Sequence, residues 1–212
     1  MTFTRQTSPY GSLVALSTMK DEGPTVVEWV AHHLALGFTD LMVYTNDCSD
    51  GTDALLKRLQ AMDIGVHHRD NVIPEGMKPH PSMLKSAAEE ELIVNSDWLL
   101  VLDADEFLCI NHPSGTLDGM VADLTAMNAQ AMVLTWRIFG SSGIRDWSRQ
   151  PITDQFTRAA PEFWNKGWGT KTLLKFDPKY LRLGMHRPII KSQHKETDYP
   201  DSILWVNGSG RP

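Results

Sequence analysis

The unbroken apolar run Trp98-Leu-Leu-Val-Leu102, leading straight into Asp103-Ala-Asp-Glu-Phe107, constrains this chain more than any other segment. A strand with one wet face alternates polar and apolar residues. A continuous apolar run of strand length is buried on both faces, which is the pattern of a central strand in a mostly parallel sheet covered by helices. In such sheets ligands bind outside the carboxyl ends of the strands, so the acidic cluster after Leu102 stands where a ligand is expected.

The flanking sequence alternates in the way this requires. Leu13 to Leu16 reads as a first strand, and Asp21, Glu22 and Pro24 then give a helix-start signature. Val27, Val30, Ala31 and Leu34 recur at helical spacing, and Gly37 closes the segment. A second strand is expected over Leu41 to Tyr44 and a third over Ile64 to His68. Between them Leu55, Leu56, Leu59 and Met62 mark a helix that Asp50 or Thr52 can cap. Met77 to Pro81, with two prolines, reads as loop, and Leu84, Ala87, Ala88, Glu91 and Leu92 as a helix with a solvated acidic face. A helix through Leu117 to Met127 and a strand over Ala131 to Phe139 follow. Strands alternating with helices predict an α/β fold with a doubly wound, mostly parallel sheet flanked by helices. The remainder is less regular and richer in tryptophan, glycine and basic residues. The closing stretch Trp205 to Pro212 reads either as a natural tail or as a truncated end.

At 212 residues the whole chain is expected to be one domain, with a nucleotide-binding half over about 1–110 and an acceptor-side half over about 111–212. A net charge of −6 argues against general nucleic-acid binding. Cys48 and Cys109 are too few for a disulfide framework and suit a reducing compartment. The first ten residues lack the apolar core of a signal peptide, and no apolar run approaches the roughly 20 residues of a membrane span. The expectation is a cytoplasmic protein whose membrane contact, if any, is peripheral.

Three expected strands end in acidic or polar clusters: Lys20-Asp-Glu22, Asn46-Asp47 through Asp50, and Asp103 through Glu106. Like charges gathered at one sheet edge repel, and a divalent cation among them removes the conflict. Asp103 and Asp105, alternating on an extended chain, are expected to point to one face. Their carboxylates suit Mg²⁺ or Mn²⁺, which take oxygen ligands together with phosphate and water. The competing reading is a solvated acidic turn. Asn46 and Asp47 stand where a base or ribose could be read, against an ordinary turn, and Asp50 and Thr52 read as turn and cap.

The ordered motifs Lys20-Asp-Glu22, Glu28-Trp29 with His33, Tyr44-Thr-Asn-Asp-Cys-Ser-Asp-Gly-Thr52 and Asp97 through Phe107 resemble family-2-like glycosyltransferases. The bacterial subgroup with an extended Glu-Trp-x-x-His helix is the nearest. Trp136-Arg-Ile-Phe-Gly-Ser-Ser-Gly143, Lys171-Thr172 and His186-Arg-Pro188 fit that subgroup, so the match runs from about Val14 to Pro188. The resemblance implies a GT-A fold, a nucleotide-diphosphate-sugar donor and a metal held by Asp103 and Asp105. It also implies Asp103 at the ribose-phosphate, Asn46 and Asp47 near the nucleobase, and Lys20 and Glu22 in the donor site. A uridine nucleotide is the first expectation, although Thr45-Asn46 before Asp47 departs from the family's double aspartate.

His186 resembles the late histidine that completes a GT-A metal shell, and imidazole suits Mn²⁺ better than Mg²⁺. Lys171 and Arg187 are candidate counter-charges for the diphosphate leaving group. Inverting transfer needs a carboxylate base, and the candidates are Asp146, Asp154 and Glu162, of which Asp154 lies in the matched region. Trp136, Trp147, Trp164 and Trp168 are candidates to stack on an acceptor sugar. Gly140-Ser-Ser-Gly143 allows close approach of a sugar, or is a plain flexible turn. His32-His33 and His67-His68 are neighbours whose side chains diverge, so neither pair makes a metal site, and Cys48 has no activating partner. The acceptor is a saccharide, lipid or protein. Rival readings are a nucleotidyltransferase, for which Ser17 to Gly23 is a poor glycine-rich loop, and a non-catalytic carbohydrate-binding domain of the same fold.

Overall fold

The computed structural model describes residues 4–161, 164, 167, 169–192 and 203–212. In chain order the first half contains β1 (Leu13–Met19), α1 (Val26–Leu36), β2 (Asp40–Thr45), α2 (Thr52–Gln60), β3 (Val66–Asp70), α3 (Pro79–Ala87), α4 (Glu91–Val94) and β4 (Trp98–Val101). The second half contains α5 (Leu117–Ala126), β5 (Ala129–Thr135), α6 (Ile152–Gln155), β6 (Thr170–Leu174), β7 (Leu181–Arg182), β8 (Ile189–Ile190) and β9 (Leu204–Asn207).

Seven strands form one sheet in the order β3-β2-β1-β4-β6-β5-β9, while β7 and β8 pair separately as a short antiparallel ribbon. The pairs β2–β3, β1–β2, β1–β4 and β5–β9 are parallel. Among the described residues of this sheet, β6 alone runs against its neighbours, β4 and β5. Every residue of β1, β2 and β4 is buried, as the continuous apolar run demands.

Side chains alternate across the sheet and build two cores. Leu13 and Ala15 pack with Trp29, Leu56, Val121 and Leu124 on the face covered by α1, α2 and α5. Val14 and Leu16 pack with Met83, Ala87 and Ile93 on the face covered by α3 and α4. Full burial of a side chain such as Leu56 stabilises the fold by roughly 1.5–3 kcal/mol. Gly37 ends α1 at φ 113°, where its N–H bonds back to Leu34, a conformation that disfavours any side chain.

Several expectations change. Helix α1 turns a different face inward: Val27 is 50% exposed and Ala31 is exposed, while Val26, Trp29, Val30 and His33 are buried. The segment Met77 to Pro81, expected as loop, instead opens α3 at Pro79. Proline suits a first turn because the amides there have no carbonyl partner within the helix. The helix expected through Leu84 to Leu92 is two short ones, α3 and α4. The third strand begins at Val66 instead of Ile64, and β5 ends at Thr135 instead of Phe139. The late segment supplies β6, which separates β5 from β4.

Strand order reverses between β1 and β4, with β2 and β3 on one side and the later strands on the other. A crevice at the carboxyl ends of two such strands is the usual ligand position in an open α/β sheet. That reversal locates the candidate site.

Candidate active site at the carboxyl edge of the sheet

The loops after β1 and β2 are stitched together by carboxylates. Asp21, at φ 55°, accepts hydrogen bonds from the Ser49 amide (2.6 Å) and hydroxyl (3.2 Å). Asp50 accepts from the Gly23 amide (2.7 Å) and from the amide and hydroxyl of Thr52 (3.0 and 2.6 Å). The Thr52 hydroxyl in turn accepts from the Glu22 amide at 2.8 Å. Thr52 therefore lowers the carboxyl of Asp50 below its ordinary range, and both residues serve the turn and the helix start. Glu22 shifts the other way. Burial raises its carboxyl, against a hydrogen bond from Thr25, and the nearby charges of Asp105, Asp50 and Asp21 raise it further.

After β4 the chain leaves extended geometry at once. Ala104 and Asp105 lie in a turn, with the Glu106 amide bonded to the Asp103 carbonyl at 3.2 Å. The extended alternation expected for Asp103 and Asp105 is therefore replaced by a turn, which Glu106 fixes by accepting the Asp103 amide at 2.8 Å. The buried Lys171 ammonium donates to Asp103 at 2.9 Å and to the carbonyl of Met185 at 2.9 Å, and stands 3.1 Å from Glu106. An ammonium has three protons, and three oxygens surround this one. With its protons so directed and its side chain buried, Lys171 braces the acidic turn. Burial still outweighs Lys171 at Glu106, whose carboxyl is raised. His80, on α3, brings Nε2 to 3.5 Å from the other Asp103 oxygen. Asp105 is exposed, and among the described residues no lysine, arginine or histidine lies within ion-pair distance of it or of Glu22.

Helix α1 holds this turn from behind. The Trp29 indole donates to the Glu106 carbonyl (3.0 Å), and His32 Nε2 donates to the Leu108 carbonyl (2.8 Å). His33 Nδ1 donates to Trp29 O (2.8 Å), leaving Nε2 to accept the Leu108 amide (3.4 Å). Burial keeps His33 neutral, its pKa lowered to about 4. Phe107 meets both imidazoles, edge-on to His32 and stacked on His33. On the same helix Glu28 accepts the amides of Ile152 (2.8 Å) and Thr153 (3.1 Å) and the Thr153 hydroxyl (2.7 Å). One helix thus fixes both the acidic turn and the segment that carries Asp154.

No protein-family model matches the chain, and no curated protein matches it in sequence. Solved structures do. There are 28 matching chains. One is S. aureus TarS 1–349, at TM-score 0.46 and 11% identity, covering 65% of this chain and 38% of that one. Another is the mannosyltransferase PcManGT from Pyrobaculum calidifontis in complex with GDP-Man and Mn²⁺, at TM-score 0.43 and 18% identity, covering 57% of this chain and 34% of that one. The chain spans well under half the length of either.

The remaining sequence candidates are placed as follows. Lys20 is exposed just beyond β1. Asn46 donates to the Asp47 carboxylate (3.2 Å) at the end of β2, and Asp47 sits at φ 48°. His186 is exposed, with its Nδ1 donating to Thr170 O (3.1 Å) and its ring edge-on to Trp136. That hydrogen bond leaves the Nε2 lone pair available. Arg187 is exposed beside it. Asp146 is exposed on a loop, and Asp154 is exposed in the first turn of α6. Glu162 and Trp168 lie outside the described residues.

Among the described residues no three His, Cys, Asp or Glu side chains gather as a preformed metal cluster. A cation resting on one or two carboxylates would complete its shell with phosphate oxygens and water, as Mg²⁺ ordinarily does. The uncompensated charge of Asp105 and Glu22 matches that donor set. His80 and His32 carry no signal in the sequence that marks them as site residues, and Trp29 enters there only as part of the Glu-Trp motif, without a role. His80 stands in a Pro-His-Pro segment that reads as loop, and the aliphatic spacing that marks α1 says nothing of how Trp29 and His32 are bonded.

Proposed function

We propose that the chain is a metal-dependent glycosyltransferase of GT-A type. The observation that carries this reading is charge left unanswered at the strand-order reversal. Glu22 and Asp105, with Asp21 and Asp50 near Glu22, meet no cationic side chain among the described residues. Beside them Asp103 has a buried lysine of its own. The motif order on both sides supports the same reading.

In this proposal Asp105, with the Asp103 oxygen that faces His80, holds Mn²⁺ or Mg²⁺ against the diphosphate of a nucleotide-sugar. His186 offers Nε2 to the same ion. The bound cation supplies charge neutralisation to the leaving diphosphate. Asn46 and Asp47 lie toward the nucleobase, with a uridine nucleotide as the first donor to try, and Lys20 stands at the rim. Lys171 positions the acidic turn and does not meet phosphate. An acceptor hydroxyl attacks the anomeric carbon, whose bond to the phosphate oxygen breaks with its electrons leaving on the nucleoside diphosphate. The hydroxyl proton passes to a carboxylate, and the stereochemistry inverts. We assign Asp154 to that role over Asp146, because Glu28 ties its segment to α1.

Thermal unfolding with UDP or GDP, with and without Mn²⁺, tests the reading. Stabilisation is expected only with both present, about 2.7 kcal/mol at a ligand concentration 100 times Kd. Asp105→Ala is expected to abolish it. Stabilisation that ignores the metal, or none with any nucleotide, would falsify the proposal. Donor-sugar hydrolysis by the purified chain separates an enzyme from a binding domain of the same fold.

A further inference from the structure

Residues 139–159 leave the sheet and return as one closed loop. Phe139 bridges to Ala159, the Gly140 amide bonds to Arg158 O (3.0 Å), and Ala160 bonds back to Ile138 O (2.7 Å). Inside, the Ser142 hydroxyl accepts the amides of Thr157 and Arg158, each at 3.2 Å. Exposed apolar side chains concentrate on this loop: Trp147 is 72% exposed, Phe139 52% and Ile144 36%. Arg145 and Arg149 flank Trp147, and Arg158 and Arg137 stand at the loop's base. All four guanidinium groups are exposed and have no ion-pair partner among the described residues. The stretch 137–158 carries these four arginines against Asp146 and Asp154, so it is cationic within a chain of net charge −6.

Single exposed apolar residues are ordinary, but three on one loop of a surface, interleaved in sequence with arginines that have no ion-pair partner among the described residues, mark an interaction site. Indole and phenyl groups among arginines suit the headgroup level of an anionic bilayer. There the rings leave water and each cation meets a negative surface potential. A soluble anionic glycan would answer the arginines but not Ile144 and Phe139. We infer that the loop 139–159 docks on an anionic membrane surface, with Trp147 entering the interface between Arg145 and Arg149. The inference rests on the exposed side chains of the loop, and not on the role proposed for Asp154 within it, and concerns where the protein works. Glu28 connects this loop to α1, which bonds the acidic turn, so a docked loop and the turn are held by one helix.

Flotation of the full chain with phosphatidylcholine vesicles, and with vesicles in which about a third of the lipid is phosphatidylglycerol, tests it. Binding is expected to the anionic vesicles alone and to weaken as salt rises. Trp147→Ser is expected to lower the partition about tenfold, and Arg145→Gln with Arg149→Gln about fivefold per arginine. Melting temperatures close to the parent's establish that the variants are folded, as expected for exposed positions. The inference fails if the anionic vesicles do not recruit the protein. It fails equally if neither variant changes recruitment, or if heparin captures the chain while vesicles do not.

Discussion

His33 meets three constraints at once: the Trp29 carbonyl on one nitrogen, the Leu108 amide on the other, and complete burial. Neither partner pattern nor solvent favours a second proton, so the folded pKa falls from 6.5 to about 4. An unfolded chain binds that proton more readily throughout this window, so the histidine destabilises the fold as pH drops from about 6.5 toward 4. The loss attributable to it is on the order of 3 kcal/mol. His68 shifts in the same direction through burial, whereas Glu22 and Glu106 are raised and contribute with the opposite sign. Comparing the parent with His33→Gln therefore isolates the term. Urea unfolding between pH 7 and pH 4.5 should show a shallower decline in the variant, and parallel curves would rule the account out.

Helix α1 shows what a helical period reveals and what it conceals. Its existence and its Gly37 stop were legible, since propensity and a left-handed cap are local. Its inward face is not, because aliphatic spacing omits Trp29 and His33, which are buried and bonded to the turn after β4. Strand β6 was illegible for a different reason. Thr170-Lys-Thr-Leu-Leu174 holds a lysine that burial would forbid without Asp103 and Glu106, which lie far back in the chain. The acidic cluster itself was readable from the run that precedes it, yet its turn geometry depends on Glu106 and Lys171, which are tertiary partners. Among these links the one between α1 and α6 is the most separable. Glu28→Ala removes the acceptor of two amides and a hydroxyl. Hydrogen exchange at Ile152 and Thr153 should quicken about tenfold or more, while amides in the middle of α1 hold their rates. Unchanged exchange at 152–153 would show that other contacts fix α6.

Across the whole molecule, burial is deepest at β1, β2 and β4 and thins toward β9, where Leu204 and Trp205 are half-buried. Opening should follow that gradient. In native-state hydrogen exchange the middle amides of β1 and β4 are expected to report global unfolding, and those of β9 and the β7–β8 ribbon to exchange at lower free energy. Equal protection of β9 and β1 would contradict this. Because β6 alone joins β4 to β5, the half of the sheet built from residues 13–101 presents an unsatisfied, wholly apolar edge until Thr170–Leu174 arrives. During synthesis, at about 5–20 residues per second, the ribosome must add some seventy residues past Val101 before that edge can close, so it stays open for several seconds. For that interval β4 presents an unpaired edge, the kind of template on which another strand can add.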